Sequence, residues 1–208
     1  MPSVNFRLLL VTDRHQTCGR PLSTVLQRAI VAGAPAIQLR EKDLSTVDLL
    51  TLVQEIQTVA VTRGVPLIVN DRVDLVMALN MSGVHLRSES LPLSAARQVL
   101  GPQRLIGIST HSIEEVQRAN REGADYIVFG PIYDTPSKRP FGPPLGLDRL
   151  AEACSQSTVP IFAIGGITCD RVHDIRTAGA HGAAVIGAVL TSKDVGAAVQ
   201  DFMWRLEM

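Results

Sequence analysis

Cysteine is scarce in this chain: Cys18, Cys154 and Cys169 are its three copies. An odd number, with no CxxC pair and no Cys/His spacing, argues against a disulfide framework or a zinc site and fits a reducing cytoplasm. Aromatic residues make up 4% of a chain that is 46% hydrophobic, so aliphatic packing is expected to form the core. Excess charge of either sign is missing too. Lys+Arg 20 balance Asp+Glu 20, which leaves no bulk field for nucleic acid or an anionic membrane surface. No apolar run approaches the ~18 residues of a membrane span, and Met1-Pro-Ser-Val-Asn-Phe-Arg7 lacks the make-up of a signal peptide. Any basic groups that matter must act locally; a homo-oligomer is compatible with this balance.

What is present is a steady alternation. Strand-like runs are Arg7–Thr12, Ala36–Arg40, Pro66–Asn70, Gly83–Leu86, Leu105–Ile108, Asp125–Phe129, Pro160–Ile164 and Ala183–Ile186. Helix-like stretches lie between them at Leu22–Ala32, Val47–Arg63, after Arg72, and at Leu93–Leu100, Ile113–Glu122, Leu147–Ala153 and Arg171–Ala178. A last one runs from about Asp194 to Leu206. About eight βα units without an antiparallel signal predict a compact α/β protein: one (β/α)8 TIM barrel domain spanning residues 1–208. A doubly wound open sheet is the alternative, but no G-x-G-x-x-G follows the first strand.

A barrel of this kind does its chemistry at the C-terminal ends of its strands. Those ends carry Thr12-Asp-Arg-His15, Gln38-Leu-Arg-Glu-Lys42, Asn70-Asp-Arg72, His85 to Ser90, and Ser109-Thr-His-Ser112. After the sixth strand, Gly130-Pro131 opens a Gly/Pro-rich loop bearing Thr135, Ser137 and Lys138; the last two strands end in Gly165-Gly166 and Ile186-Gly187. Hydroxyls, a lysine and paired glycines suit phosphorylated ligands.

Two anion sites can be distinguished. Gly165-Gly166 with Ile186-Gly187 matches a phosphate cup of backbone N–H groups. Arg40, Lys42, Asn70 and Lys138 supply enough positive charge for a pyrophosphate. Asp71, among these cations, either holds Mg²⁺, pairs with Arg72 or caps the next helix. His111 precedes a capping-box spacing, Ser112 to Glu115, and is either a general acid/base or a helix-entry histidine. His15, His85, His173 and His181 read as structural or exposed. Cys169 has no neighbouring base and is not read as a nucleophile.

Six segments together carry a resemblance: Gln38-Leu-Arg-Glu-Lys42, Asn70-Asp-Arg-Val-Asp74, Gly83-Val-His-Leu86, Ser109-Thr-His111, Gly130 to Lys138, and Ala163-Ile-Gly-Gly-Ile167. From about Leu8 to Leu190 the chain resembles thiamine-phosphate synthases and their sister group, the thiazole tautomerases. The resemblance implies a Mg²⁺-dependent barrel that joins hydroxymethylpyrimidine pyrophosphate to a thiazole phosphate. It implies that Gln38, Arg40, Lys42, Asn70 and Lys138 bind the pyrimidine pyrophosphate, with Asp71 on Mg²⁺ and Ser109 on the pyrimidine. Thr135, Ser137, Gly166 and the Ile186-Gly187 turn would hold the thiazole phosphate. The catalytic group so implied is Arg40, Lys42, Lys138 and Ser109, with His111 matching the acid/base of the tautomerases.

The chain departs from the family pattern in three places. Ser82 stands where an aspartate is expected as second Mg²⁺ ligand, Arg87-Ser-Glu-Ser90 replaces Gly-Gln-Glu-Asp, and Gly187 replaces a phosphate-binding serine. These changes resemble the tautomerases. The retained pyrophosphate grip, which a tautomerase does not need, favours the synthase; a non-catalytic thiazole-phosphate binder is the remaining alternative.

Overall fold

The computed structural model describes residues 4–135, 139 and 142–208. Eight parallel strands close into a barrel in sequence order: β1 (Leu8–Val11), β2 (Ile37–Leu39), β3 (Leu67–Asn70), β4 (Gly83–Leu86), β5 (Leu105–Thr110), β6 (Tyr126–Phe129), β7 (Ile161–Ile164) and β8 (Gly182–Val185). β8 pairs back onto β1, with Leu8 opposite Ala183. Outside lie α1 (Leu22–Val31), α2 (Thr46–Arg63), α3 (Val73–Ala78), α4 (Leu93–Leu100), α5 (Ile113–Glu122), α6 (Gly146–Gln156), α7 (Val172–Thr177), the single turn α8 (Gly187–Leu190) and α9 (Val195–Glu207).

The strands are aliphatic on both faces because both are covered. Along β1, Leu8 and Leu10 join the shell packed under the helices, whereas Leu9 and Val11 point into the barrel. This is the two-residue alternation of a strand seen from its two sides. Helix ends follow local chemistry: Ser45 accepts from Asp48 N–H at the start of α2, and Gly64 ends it with a left-handed φ of 66°.

The expected aliphatic core holds for the outer shell and for most of the interior, where Leu9, Val11, Ile68, Leu105 and Val128 surround three rings. Phe6, Tyr126 and Phe162 plug the barrel, with ring centroids 5.3 Å apart for Phe6–Phe162, 5.7 Å for Tyr126–Phe162 and 6.0 Å for Phe6–Tyr126. Wide rings fill the tapering interior where a few short aliphatic chains would leave voids. Below this plug, Arg97 donates to the buried Asp125 carboxylate at 2.6 Å, and the same oxygen accepts from Ile106 N–H at 2.7 Å.

All three cysteines are free. No helix among the described residues is long and apolar enough to cross a membrane.

Candidate active site

Above the aromatic plug the barrel turns polar. Gln38 of β2 is buried and its Nε2–H donates to Asn70 Oδ1 at 3.2 Å. Asn70 Nδ2–H in turn donates to Asp71 Oδ2 at 2.9 Å. Asp71 sits just past β3 with a left-handed φ of 61°, a conformation that costs a non-glycine residue energy and that the surroundings must enforce. Its amide donates to the His85 carbonyl at 3.0 Å, which ties the turn to β4.

The Asp71 carboxylate has further partners from the loop after β4. Arg87 Nε–H donates to Oδ2 at 2.5 Å, and the Ser90 hydroxyl donates to Oδ1. Of the alternatives left open by the sequence, helix capping and pairing with Arg72 are both absent: Arg72 bonds Asp74, at 2.6 Å, and no side chain caps α3. The position of Ser82 is corrected. It precedes β4 at the N-terminal end, its amide donating to Leu67 O and its carbonyl accepting from Leu105 N–H. Since Ile68 faces Gly83 in the register, Ser82 lies four residues of strand below Asp71, about 13 Å away. Ser90, not Ser82, is the serine that meets the Asp71 carboxylate.

Arg40 and Lys42 follow β2 on the same rim. Arg40 is half-buried, with its amide held by the Thr12 hydroxyl at 2.9 Å, and Lys42 is exposed. Glu41 between them turns inward: Oε2 accepts from Arg14 N–H at 3.1 Å while Oε1 is buried without a partner among the described residues. Arg40 and Asp71 both lie close enough to His85 to act on it electrostatically, in opposite directions.

On the far rim, Ser109 of β5 meets His85 Nε2 at 2.9 Å. His85 is buried rather than exposed, and burial pushes its pKa down to about 3. His111 is exposed, its Nδ1–H donating to the Gly130 carbonyl at 2.5 Å, a bond in which Nε2 takes no part. Ser112 caps α5 as expected, but Glu115 reaches back one residue further than in a capping box, accepting from His111 N–H at 2.6 Å.

The β6 and β7 loops are knitted together at the glycine pair. Gly165 and Gly166 have φ of 96° and 65°, and a Cβ on Gly166 would lie 2.8 Å from Tyr133 Cβ. Arg171 donates to the Gly166 carbonyl at 2.6 Å and stacks on the Tyr133 ring at 4.2 Å. Ile186-Gly187 lies on the neighbouring strand end, where α8 begins. Thr135 is half-buried on the β6 loop; Ser137 and Lys138 lie outside the described residues. Two surface depressions of about 550 and 350 Å³ lie elsewhere, one between α1 and α9 and one at the N-terminal face near Phe6 and Pro66. Neither gathers the cations of the mouth.

Sequence reasoning missed Arg87, Ser90, Tyr126, Arg171 and the role of His85. His85, Arg87 and Ser90 left a trace, as polar residues at a strand end.

A closed (β/α)8 barrel with cations, amides and the Asp71 carboxylate gathered on its C-terminal rim is an enzyme scaffold of the anion-handling kind. The family model described as thiamine monophosphate synthase matches residues 8–189, and the chain belongs to that family. It is 41% identical to the thiamine-phosphate synthase of Chloroflexus aurantiacus, over 95% of this chain and 91% of that protein. It is 38% identical to the thiamine-phosphate synthase of Clostridium novyi, over 92% and 94%. Among solved structures, thiamine phosphate pyrophosphorylase from Pyrococcus furiosus superposes with a TM-score of 0.87 at 30% identity, covering 97% of this chain and 95% of that one.

Proposed function

We propose that this chain joins hydroxymethylpyrimidine pyrophosphate to hydroxyethylthiazole phosphate, forming thiamine phosphate and releasing pyrophosphate. It is a transferase of thiamine biosynthesis acting on small molecules. The observation that carries the reading is the bonded line Gln38–Asn70–Asp71–Ser90, with Arg40 and Lys42 beside it on one rim. In this assignment Arg40, Lys42, Asn70 and Lys138 grip the pyrophosphate and Gln38 and Ser109 face the pyrimidine. Thr135, Ser137, Gly166 and the Ile186-Gly187 turn take the thiazole phosphate.

The residues present fit Mg²⁺. No group of three or more His, Cys, Asp or Glu side chains able to hold a metal occurs among the described residues. Mg²⁺ needs no such cage, because it commonly takes one or two carboxylates and fills its sphere with water and substrate phosphate. Asp71 supplies one carboxylate, in a backbone conformation held for it, and Ser90 adds a hydroxyl. Bound there, Mg²⁺ supplies charge neutralisation for the departing pyrophosphate.

Cleavage of the C–O bond leaves a resonance-stabilised pyrimidine cation and sends the electron pair to the pyrophosphate. Arg40, Lys42 and Lys138 stabilise that developing charge. The thiazole nitrogen, held in reach, captures the cation before water does. No protein nucleophile takes part. The Cys169 thiol is accordingly unsuited to the role, pushed up to about 12 by burial and by its hydrogen bond to Asp201. We place the enzyme in the cytoplasm, a reading that the three free cysteines support.

One observation favours a tautomerase instead: the exposed His111 ring, fixed by Gly130, offers Nε2 as a base. Pyrophosphate release with both substrates, with and without Mg²⁺, separates the two. Metal-dependent release that needs the thiazole phosphate supports the synthase. Silence there, with a thiazole carboxylate phosphate aromatised and His111→Ala inactive, makes the chain a tautomerase.

A further inference from the structure

Three groups on adjacent strands form a relay beneath the mouth. The register sets His85 of β4 opposite Gly107 of β5, and Gly107 opposite Tyr126 of β6. A Cβ at position 107 would lie 2.0 Å from Tyr126 Cζ and 2.4 Å from its hydroxyl oxygen. Glycine there opens the space through which the tyrosine reaches across β5. Its hydroxyl meets His85 Nδ1 at 3.1 Å, and His85 Nε2 meets the Ser109 hydroxyl at 2.9 Å. Tyr126 and His85 are 0% and 1% exposed, so water does not complete either hydrogen-bonding set.

The direction of the protons follows from what each group can do. The Tyr126 ring packs against the Phe6 and Phe162 rings, and among the described residues the hydrogen-bond partner of its hydroxyl is His85 Nδ1. A buried O–H with no acceptor is costly, so the phenol donates and Nδ1 accepts. A neutral imidazole carries one N–H; with Nδ1 accepting, the proton is on Nε2. An imidazolium carries N–H on both nitrogens, so a ring whose Nδ1 accepts is the neutral one. Nε2–H then donates to the Ser109 oxygen, and the serine's own proton is turned away from the histidine.

We propose that Tyr126 and His85 are positioning residues that fix the Ser109 hydroxyl as a hydrogen-bond donor to an acceptor atom, such as a heteroaromatic ring nitrogen, of the ligand in the mouth. The inference rests on the reading of Ser109 as the pyrimidine contact. It biases Ser109: with one lone pair taken by Nε2–H and the proton turned outwards, a ligand acceptor meets the hydroxyl proton directly, whereas a ligand N–H has a single remaining lone pair to use.

The first arm of the test uses no substrate. Long-range proton–nitrogen correlation spectra of the ¹⁵N-histidine-labelled enzyme are expected to put the His85 proton on Nε2. A proton on Nδ1 in the wild-type enzyme overturns the proposal even if the protein is a synthase. The second arm measures pyrophosphate release by Tyr126→Phe, Ser109→Ala and the double variant. Tyr126→Phe is expected to lower kcat/KM for the pyrimidine substrate about tenfold, and the double variant is expected to be no slower than Ser109→Ala alone. Multiplicative losses would show that Tyr126 acts by some route other than Ser109. A wild-type enzyme that releases no pyrophosphate would remove the functional reading while leaving the tautomer result standing.

Discussion

Arg87 donates its Nε–H to Asp71 Oδ2 at 2.5 Å, so a fixed guanidinium occupies the oxygen that a divalent cation would approach. The pair is partly solvated, with side-chain exposures of 45% and 21%, which limits its strength to roughly 1 kcal/mol. Arg87→Ala is therefore expected to lower the half-saturating Mg²⁺ concentration about three- to tenfold. Titration of Mn²⁺ in the presence of inorganic pyrophosphate reads this without turnover. A weaker metal affinity in the variant would instead make Arg87 a pyrophosphate ligand.

Ser90→Asp and Ser82→Asp give opposite expectations. The first places a second carboxylate next to Asp71 and should tighten Mg²⁺, most clearly when Arg87 is also removed. The second changes a residue at the other end of β4 and should leave the metal requirement unaltered. If Ser82→Asp shifts half-saturating Mg²⁺ while Ser90→Asp does not, the assignment of the metal to Asp71 fails.

Arg40→Ala should reduce kcat/KM for the pyrimidine pyrophosphate by about two to three orders of magnitude, the usual loss when a preorganised group facing developing charge is removed. Its folding should be unaffected, because the guanidinium is on the rim. Lys138→Ala should behave in the same way. Unchanged turnover in both would discredit the placement of the pyrophosphate.

Arg97→Ala tests the barrel floor instead of the site. It strands the Asp125 carboxylate, whose side chain is 2% exposed, and losing one partner of a buried pair costs about 3–5 kcal/mol. In a chain of this size that is a fall of roughly 6–20 °C in Tm by calorimetry. A shift below about 2 °C would mean that the pair contributes little.

Acid should weaken the fold through His85. Its pKa falls from the ordinary 6.5 to about 3 on burial, so the unfolded chain binds a proton that the native one refuses. The contribution is fully present above pH 6.5 and is lost as pH drops towards 3. His85→Gln should flatten the stability profile in that window, measured by urea unfolding; an unchanged slope would show that another group sets it.

The barrel itself was legible because parallel strands covered on both faces are continuous apolar runs, and Gly or Pro marks their ends. Strand limits agree within one residue except at β5, which runs two residues further, through Thr110. The single turn α8 and the interior aromatics were not foreseen. A one-turn helix has no periodicity to read, and nothing in a 4% aromatic content says that three of those rings share one cavity. At the site, residues on strand ends were found by topology alone. Arg87 and Ser90 stood at a strand end, but their bonds to Asp71 were not foreseen, nor was that of Tyr126 to His85, because the partners lie 16, 19 and 41 residues away. Ser82 was misplaced by motif matching alone: it precedes Gly83–Leu86 in the chain, which puts it at the N-terminal end of that strand, away from the mouth.

The aromatic plug has an electrical consequence. Rings and aliphatic chains below the rim exclude water and respond weakly to charge, so the field of Arg40 spreads poorly downwards and is focused outwards through the opening. Ions of the bulk solution screen that field only on its open side. Capture of a polyanion at the mouth should consequently tolerate physiological ionic strength better than the same cations displayed on a flat surface, although the chain as a whole carries no net charge.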